Sequence, residues 1–356
     1  MINRLALGFP AAAGAMALVA TLLSGIPSHA ASSVALYTAD GLEDFYKAVL
    51  PDFEKQAGAK VNLVINGSGA LVNRMQTEKD SPKADVLVTL PPFTYNAIKQ
   101  GLTTVYKSSA DPAIPADRKD ASGAWATFIN NYATFIFNPK LIKAPDTFED
   151  LLKPEYEGVV SYSNPLTAGD GMAVIIVLEK AWGEEKAFDF LAKLEKGVKF
   201  HTKGTGYLDV LVGRGEIKVA NGDFQMDMDD SVHGGMAIEP RFLRPAAGAK
   251  PVTFSLPYTI QLVKGGPNAD GGKALFDYLL SKEVQAKVTD VFGLPARNDV
   301  EPTGPNAKVV TDAVKDVDVL PVDWNYVIGK MKAWQDRWKS QVIGAADKPL
   351  EVVKPK

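Results

Sequence analysis

The sequence predicts an α/β fold of two lobes, each a mainly parallel sheet flanked by helices, joined by a two-strand hinge. Short β-branched segments alternate with helical patterns from Val34 onward, and the same alternation restarts near Val159. Such alternation is typical of parallel sheets whose strands are connected by helices. Two further strand-like segments, Tyr132 to Phe137 and Tyr258 to Val263, flank the second block. We expect them to form the two crossovers of the hinge.

The length of the chain indicates more than one core. It has 356 residues, and single hydrophobic cores stop growing at about 250–300 residues. We therefore expect two lobes, the first made of residues 31–130 and 264–356 and the second of residues 131–263. Residues 1–30 are expected to be an export signal that belongs to neither lobe.

The first block predicts a βαβαβ unit. Phe45, Val49 and Phe53 recur every four residues, as on one face of a helix. We expect Pro51 to start a second helical piece and Gly58 to end it. The strands expected here are Val34 to Tyr37, Lys60 to Ile65 and Asp85 to Val88. Ligands of such sheets bind at the carboxyl ends of the strands.

The second block repeats this organisation around its own core. Met172 to Leu178 is apolar on all sides, which predicts a buried helix. The strands expected here are Val159 to Tyr162, Val198 to Thr202 and Ile217 to Ala220. The Lys/Pro-rich tail from Lys348 is expected to be frayed.

The N-terminal residues predict export. Arg4 precedes an apolar segment from Leu5 to Leu23, and Ser28-His29-Ala30 has the small-x-small pattern of a signal peptidase site. The chain has no cysteine, so a lipid anchor on an N-terminal cysteine is excluded. We expect a protein that is free in the periplasm after cleavage.

Composition excludes several classes of site. The formal net charge is −3 and the mature chain has no long basic run, which argues against nucleic-acid binding. With no cysteine and three histidines in the whole chain, a zinc centre is not expected. We predict neither a cofactor nor a resident metal.

Small polar residues follow four predicted strands. These turns are Thr38 to Gly41, Asn66 to Gly69, Asn164 to Gly171 and Gly204 to Gly206, and each precedes a predicted helix. Free N–H groups and a partial positive charge at a helix N-terminus attract anions. Two lobes with such turns can enclose a phosphate-like group. Ordinary N-capping prefers the same residues and remains the alternative explanation.

Common enzyme signatures are missing. Gly67-Ser68-Gly69 begins like a dinucleotide fingerprint, but Val72 occupies the place of its third glycine. The sequence has no phosphate-binding G-x-x-x-x-G-K-[ST] loop, no H-E-x-x-H and no G-x-S-x-G, so an enzyme is not predicted. Asp223, Asp227, Asp229 and Asp230 lack the order of a calcium loop, and we interpret this acidic segment as a solvated helix face.

A cationic group on the ligand would need carboxylates or aromatic faces. Asp40 and Asp223 lie at predicted strand ends where the two lobes would face each other. The aromatic residues expected near the same cleft are Tyr37, Phe93, Tyr207 and Tyr258. Helix capping by Asp40 and simple packing of the tyrosines are the alternative explanations.

Five segments resemble a known family. They are Tyr37 to Leu42 (YTADGL), Ala84 to Phe93 (ADVLVTLPPF), Gly215 to Met226 (GEIKVANGDFQM), Leu256 to Tyr258 (LPY) and Gly293 to Val300 (GLPARNDV). Across nearly the whole mature chain the sequence is similar to periplasmic solute-binding proteins of ABC importers, and among them to those for 2-aminoethylphosphonate. The resemblance implies the two-lobed type II periplasmic binding protein fold, a monomer, and a membrane permease as partner.

The resemblance also implies a zwitterionic ligand, with an anionic phosphonate and an ammonium two carbons away. The phosphonate is then expected near Ser68, Thr89, Thr167, Gly169, Asp170, Gly171 and Thr205, with the backbone of Asp170 facing the anion. Asp40 would hold the amine, with Asp223 or Tyr258 as alternatives and Tyr37 as a further lining residue.

Other functions remain open from the sequence. Related ferric-ion and small-anion binders share the fold, but ferric binders typically present paired tyrosines, and this sequence has no Tyr-Tyr pair. A periplasmic enzyme acting on a phosphorylated or phosphonate substrate lacks an obvious nucleophile–base pair here. A scaffolding protein would not need the Gly/Ser/Thr-rich strand ends.

Overall fold

A computed structural model describes residues 33–346 and 349–354 of the chain. The predicted export signal lies outside the described residues. None of the described helices combines the length and apolar character that a bilayer span requires.

The elements of the first half follow the predicted alternation. In chain order they are β1 (Ser33–Thr38), α1 (Glu43–Ala57), β2 (Lys60–Ile65), α2 (Ser68–Thr77), β3 (Val86–Thr89), α3 (Phe93–Lys99), β4 (Thr103–Thr104), β5 (Ala126–Asn130), β6 (Ala133–Phe137), β7 (Val160–Ser163) and α4 (Gly169–Trp182).

The second half continues the alternation and ends in helices. Its elements are α5 (Glu184–Glu195), β8 (Val198–Thr202), α6 (Gly206–Gly213), β9 (Val219–Asp223), α7 (Phe224–Val232), β10 (Glu239–Arg241), β11 (Val252–Thr253), β12 (Tyr258–Val263), α8 (Ala269–Leu279), α9 (Lys282–Ala286), β13 (Leu294–Pro295), α10 (Gly304–Val314), β14 (Asp318–Val319), α11 (Trp324–Arg337) and β15 (Val352–Val353).

The strands form two main sheets, each with a parallel part and an antiparallel part. The first has the order β13-β5-β12-β3-β1-β2, with β4 beside β12. Strand β1 pairs in parallel with β2 and β3, whereas β12 is antiparallel to β3, β4 and β5. The second has the order β10-β6-β9-β7-β8-β15, in which β7 is parallel to β8 and β9, and β6 is antiparallel to β9 and β10. The α/β fold is confirmed, but the sheets are mixed rather than mainly parallel.

Two short connections link the sheets side by side. The chain leaves the first sheet through Asn131 and Tyr132 and returns through residues 254–257. Leu256 N–H donates to the Asn131 carbonyl at 2.9 Å, and Tyr132 bridges Ser255. The predicted hinge segments thus become strands of different sheets, β6 and β12, and the connections are the shorter pieces before them. The lobe boundaries themselves stay a prediction.

The C-terminal residues lie against the second sheet. Trp334 and Trp338 are fully buried, and Trp338 Nε1 donates to the Tyr162 hydroxyl at 2.8 Å. Strand β15 pairs with β8, so the prediction of a frayed tail is wrong for Val352 and Val353. The assignment of all of residues 264–356 to the first lobe stays a prediction.

Helix α1 is one continuous helix, with Pro51 inside it and Gly58 in a left-handed conformation at its end. The prediction of a second helical piece at Pro51 is wrong. A proline removes the N–H that would bond to the carbonyl four residues earlier, which belongs to Lys47. Because both residues are exposed, water can satisfy that carbonyl. The buried faces of α1 and of the other helices pack on the sheets and leave the strand ends free to form a site.

Candidate ligand-binding cleft

The carboxyl ends of strands from both sheets meet at one cleft. The turns after β1 and β2 face the turn after β8, and together they border a cavity of about 1040 Å³. Its lining includes Asp40, Asn66, Gly67, Gly204 and Gly206, which belong to three of the four predicted polar turns. Three of the four predicted turns thus border one concave surface, and its lining contains no residue of the fourth, Asn164 to Gly171.

Asp40 joins the two halves of the cleft. Its Oδ2 atom accepts a hydrogen bond from Gly206 N–H at 2.9 Å, at the start of α6. The hydroxyl of Tyr258, on β12, lies 3.1 Å from the Asp40 carbonyl oxygen and 2.9 Å from Asp223 Oδ2. Burial, followed by the charge of Asp223, raises the pKa of Tyr258 well above its usual range, so the hydroxyl is a donor.

Asp40, Asp170 and Asp223 form a group that we call the carboxylate triad. Asp170 is 3% exposed and Asp223 is 1% exposed. Asp223 caps α7 by accepting from Met226 N–H at 2.9 Å, whereas Oδ1 of Asp170 has no hydrogen-bond partner in the described part of the chain. No Lys or Arg within residues 33–346 and 349–354 forms an ion pair with the triad. The triad is therefore a group of three carboxyl groups without a counter-ion among the described residues.

The protonation of the triad reflects this environment. Burial raises the pKa of Asp223 to about 6. Burial also raises the pKa of Asp170 well above its usual range, and the charges of Asp223 and Asp40 add to the effect. Burial raises the pKa of Asp40 too, with the Gly206 N–H opposing it. A cation placed among the three carboxylates would lower all three pKa values.

Helix α2 points its N-terminus at the second half of the cleft. The N–H groups of Gly69 and Ala70 donate to the Thr167 carbonyl at 2.9 and 3.2 Å. The Ser68 hydroxyl accepts from Leu90 N–H at 3.0 Å. A Cβ atom on Gly69 would lie 2.8 Å from the Leu166 carbonyl oxygen, so only glycine permits this approach. The N–H groups at the α2 N-terminus, where anionic partners are favoured, thus bind a backbone carbonyl here.

The starts of α4 and α6 lie next to it. The Thr167 hydroxyl donates to the Lys203 carbonyl at 2.7 Å, and the Thr205 hydroxyl donates to Ser163 Oγ at 3.0 Å. A Cβ atom on Gly171 would overlap the Ser163 carbonyl oxygen, so Gly171 lets the first turn of α4 pack on the end of β7. The structure thus brings together most of the residues expected to hold an anion: Ser68, Thr167, Gly169, Asp170, Gly171 and Thr205.

Two of the expected residues point elsewhere. The Tyr37 hydroxyl donates to Glu78 Oε2 at 3.0 Å, and Arg74 stacks on the Tyr37 ring. The Thr89 hydroxyl lies 3.3 Å from the Thr94 hydroxyl in a buried cluster behind the sheet edge. Alternation along a strand turns neighbouring side chains to opposite faces, and the sequence alone did not show which face borders the cleft.

The sequence analysis missed other residues of the cleft and misjudged a helix. Glu43, Lys203 and Arg214 line the cavity. The sequence could have indicated them through their charge and their positions near glycine-rich turns.

The interpretation of α7 as a solvated acidic face is wrong, because Asp227 is fully buried and accepts from the Thr134 hydroxyl. Helix α7 is covered by β9, β10 and α6. Among the described residues no cluster of His, Cys, Asp and Glu is suited to hold a metal ion.

Comparison with known proteins gives the family. The model of the bacterial extracellular solute-binding proteins matches residues 81–330. A protein of Salmonella paratyphi A named "Putative 2-aminoethylphosphonate-binding periplasmic protein" is 36% identical over 324 residues, which cover 89% of this chain and 94% of that protein. One from Sinorhizobium fredii, named "Probable ABC transporter periplasmic-binding protein y4fP", is 25% identical over 348 residues, which cover 92% of this chain and 91% of that protein.

Solved structures share the fold. The periplasmic binding protein P5PA superposes with a TM-score of 0.77 at 21% identity, covering 87% of this chain and 99% of that one. The apo ferric ion-binding protein A of Pasteurella haemolytica superposes with a TM-score of 0.68 at 20% identity, covering 89% of this chain and 99% of that one. The fold is that of type II periplasmic binding proteins. The chain belongs to the bacterial extracellular solute-binding proteins, and the resemblance found in the sequence is confirmed.

Proposed function

We propose that this protein binds 2-aminoethylphosphonate in the cleft and delivers it to an ABC importer of the inner membrane. The observation that carries the proposal is the carboxylate triad, which has no counter-ion among the residues that the structure describes and borders three helix N-termini. A zwitterion of this length complements both features, since its ammonium needs carboxylates and its phosphonate needs N–H and O–H donors. The name of the Salmonella relative supports the ligand, and that of the Sinorhizobium relative supports the importer.

The ligand would take over contacts that the protein makes with itself. Asp40 and Gly206 N–H bond directly across the cleft at 2.9 Å. With the zwitterion inserted between them, the phosphonate would accept from Gly206 N–H and the ammonium would pair with Asp40. In the same way the phosphonate would replace the Thr167 carbonyl at the N–H groups of α2. We propose Ser68, Thr167, Gly169, Gly171, Thr205 and the Asp170 backbone for the phosphonate, and Asp40 with Asp223 and Tyr258 for the amine.

This exchange requires the halves to separate and close again. Asn131 and Leu256, in the two connections between the sheets, are joined by a backbone hydrogen bond and are suited to act as a hinge. No bond of the ligand is broken in this cycle. Residues 1–30 are proposed to be removed on export, so the periplasmic protein should begin at or near Ala31.

A second candidate is a ferric ion or another small anion. The ferric-binding structural neighbour favours it, as do the hard oxygen atoms of Tyr258 and the carboxylates. The absence of a metal-binding cluster within the described residues weighs against it. An enzyme acting on a phosphorylated substrate finds no support among the named relatives, which are binding proteins.

Isothermal calorimetry on the mature protein tests the proposal. The ligands are 2-aminoethylphosphonate, ethylphosphonate, inorganic phosphate and ferric citrate. We expect 2-aminoethylphosphonate to bind at least about tenfold more tightly than the others, which corresponds to about 1.4 kcal/mol. Tightest binding of ferric citrate would establish the second candidate, and equal binding of all the phosphonates would remove the role of the triad in holding an amine.

A further inference from the structure

The lining of the cavity carries more negative than positive charge. Its carboxylates are Asp40, Glu43, Asp44, Glu216, Asp229 and Asp230. Its cations are Lys203, Arg214 and Lys354. A cleft built for inorganic phosphate or an amine-free phosphonate would gain from an excess of cations, because the summed field of the lining concentrates ligands of opposite charge. The lining instead has an excess of negative charge, although the helix N-termini provide hydrogen-bond donors for an anion.

Four of these carboxylates form a continuous surface, which we call the acidic wall. Glu43 and Asp44 belong to the first turn of α1, beside the first sheet, and Asp229 and Asp230 belong to α7, beside the second. The two pairs affect each other across the cavity: burial, followed by the charge of Asp229, raises the pKa of Asp230 to about 6, and the charges of Glu43 and Asp44 contribute. The wall is therefore shared between the two halves of the cleft.

Two residues of the acidic wall lack a counter-ion. Asp44 pairs with Lys47 at 2.5 Å, and Oδ1 of Asp229 lies 2.6 Å from Nδ1 of His233. Neither Glu43 nor Asp230 forms an ion pair with any residue that the structure describes. Glu43 accepts only a backbone bond, from Gly41 N–H at 2.9 Å. The charge of these two carboxylates is thus directed at whatever enters the cavity.

A buried carboxyl group lies behind the wall. Asp209, on α6, is 0% exposed, and no donor of the described chain bonds to either of its oxygen atoms. Burial, followed by the charge of Asp227, raises the pKa of Asp209 well above its usual range. A buried carboxyl group in this environment holds its proton.

We propose that the acidic wall, through Glu43 and Asp230, is a charge filter that admits phosphonates carrying an ammonium and disfavours phosphate and amine-free phosphonates. This inference rests on the proposed function and adds the reason for its selectivity. The carboxylate triad holds the amine by contact, whereas the wall acts at a distance on every ligand that enters. The two contributions therefore differ in their response to salt and in their effect on ligands without an amine.

The charge of the cleft can be measured without any phosphonate. The chain has no cysteine, so Tyr207→Cys places a single thiol on the cavity lining. The rates of its modification by cationic and by anionic methanethiosulfonate reagents are compared, and Ala246→Cys on an exposed turn serves as the reference thiol. The ratio of cationic to anionic rates should be about three- to tenfold higher at position 207 and should fall as salt is added.

Variants of the acidic wall test whether the same carboxylates set this ratio of modification rates and the selection of ligands. Glu43→Gln and Asp230→Asn should each lower the ratio at position 207 about threefold and tighten ethylphosphonate and phosphate binding by a similar factor. Asp52→Asn is the matched control, because Asp52 lies on α1 with Glu43 but outside the cavity lining; it should change neither quantity. An unchanged ratio in both wall variants, or the same change in the control, would overturn the filter.

The outcomes separate this inference from the proposed function. If the wild type selects 2-aminoethylphosphonate while the wall variants leave ethylphosphonate and phosphate binding unaltered, the filter is wrong and the proposed function stands. If the thiol ratio responds as expected but the wild type does not bind 2-aminoethylphosphonate, the proposed function fails and the wall is not a selector for that ligand.

Discussion

The carboxylate of Asp40 accepts a hydrogen bond from the backbone N–H of Gly206 at 2.9 Å, which connects the end of β1 to the start of α6. An anionic side chain of one half of the protein thus occupies a helix N-terminus of the other half. In the proposed mechanism a zwitterionic ligand separates these two groups and satisfies both of them, because it carries one charge for each.

Asp40→Asn tests the amine contact. Asparagine keeps the shape of the side chain and an oxygen that can accept from Gly206 N–H, but it removes the charge. We expect 2-aminoethylphosphonate to bind more weakly by roughly 2–5 kcal/mol, because a buried ammonium loses its counter-ion. Ethylphosphonate should lose little, since it has no ammonium. Calorimetry with both ligands on both proteins measures the difference. Equal losses of affinity for the two ligands would mean that Asp223 or Tyr258, and not Asp40, binds the amine.

Gly69→Ala tests the close approach of α2 to the turn at Leu166. The added Cβ would lie 2.6 Å from the Phe93 ring and 2.8 Å from the Leu166 carbonyl oxygen. We expect weaker ligand binding by about 1–3 kcal/mol, because the overpacked interface resists closure. Small-angle scattering should show less compaction on addition of ligand than in the wild type.

The control for this variant is Gly329→Ala, in α11, where an added Cβ meets no atom within 4 Å. It should raise the free energy of unfolding by about 0.5–1 kcal/mol and leave binding unchanged. Full compaction and wild-type affinity in Gly69→Ala would contradict the proposed closure.

The stability of the free protein should fall as pH rises from about 4 to 7. The pKa values of Asp223 and Asp230 are both raised to about 6, first of all by burial, whereas unfolded aspartate titrates near pH 4. In this range the native state binds more protons than the unfolded state, so each unit of pH increase lowers stability. The melting temperature at constant ionic strength should be higher at pH 5 than at pH 7.5. A lower melting temperature at pH 5 than at pH 7.5 would mean that Asp223 and Asp230 are either solvated or paired with a cation.

Asp209→Asn tests the proton that Asp209 is inferred to hold. The amide keeps the shape of the side chain but cannot ionise, so the stability of the variant relative to the wild type should increase from pH 5 to pH 8.5. Urea denaturation at the two pH values measures this difference. A loss of stability at both would show that the Asp209 carboxyl makes a favourable contact that an amide cannot replace.

Local patterns predicted much of the fold and part of the cleft. Strands such as Lys60 to Ile65 and Val198 to Thr202 appear with the predicted bounds, because alternation and β-branched residues act over neighbouring positions. The polar turns that hold Gly67 and Gly206 were identified for the same reason. The positions of Tyr37 and Thr89 were not, because the side-chain period of a strand leaves open which face borders a cleft.

The sequence by itself determined the α/β alternation, the two blocks, the glycine-rich strand ends and the family. These properties depend on residues close together along the chain. Only the tertiary structure decided that Asp40 meets Gly206, 166 positions away, that α7 is covered rather than solvated, and that Val352 and Val353 extend the second sheet. The physical reason is that burial and counter-ions are set by elements distant in sequence. A carboxylate such as Asp227 is a surface charge or a buried group according to what packs on it, and its own segment does not contain that information.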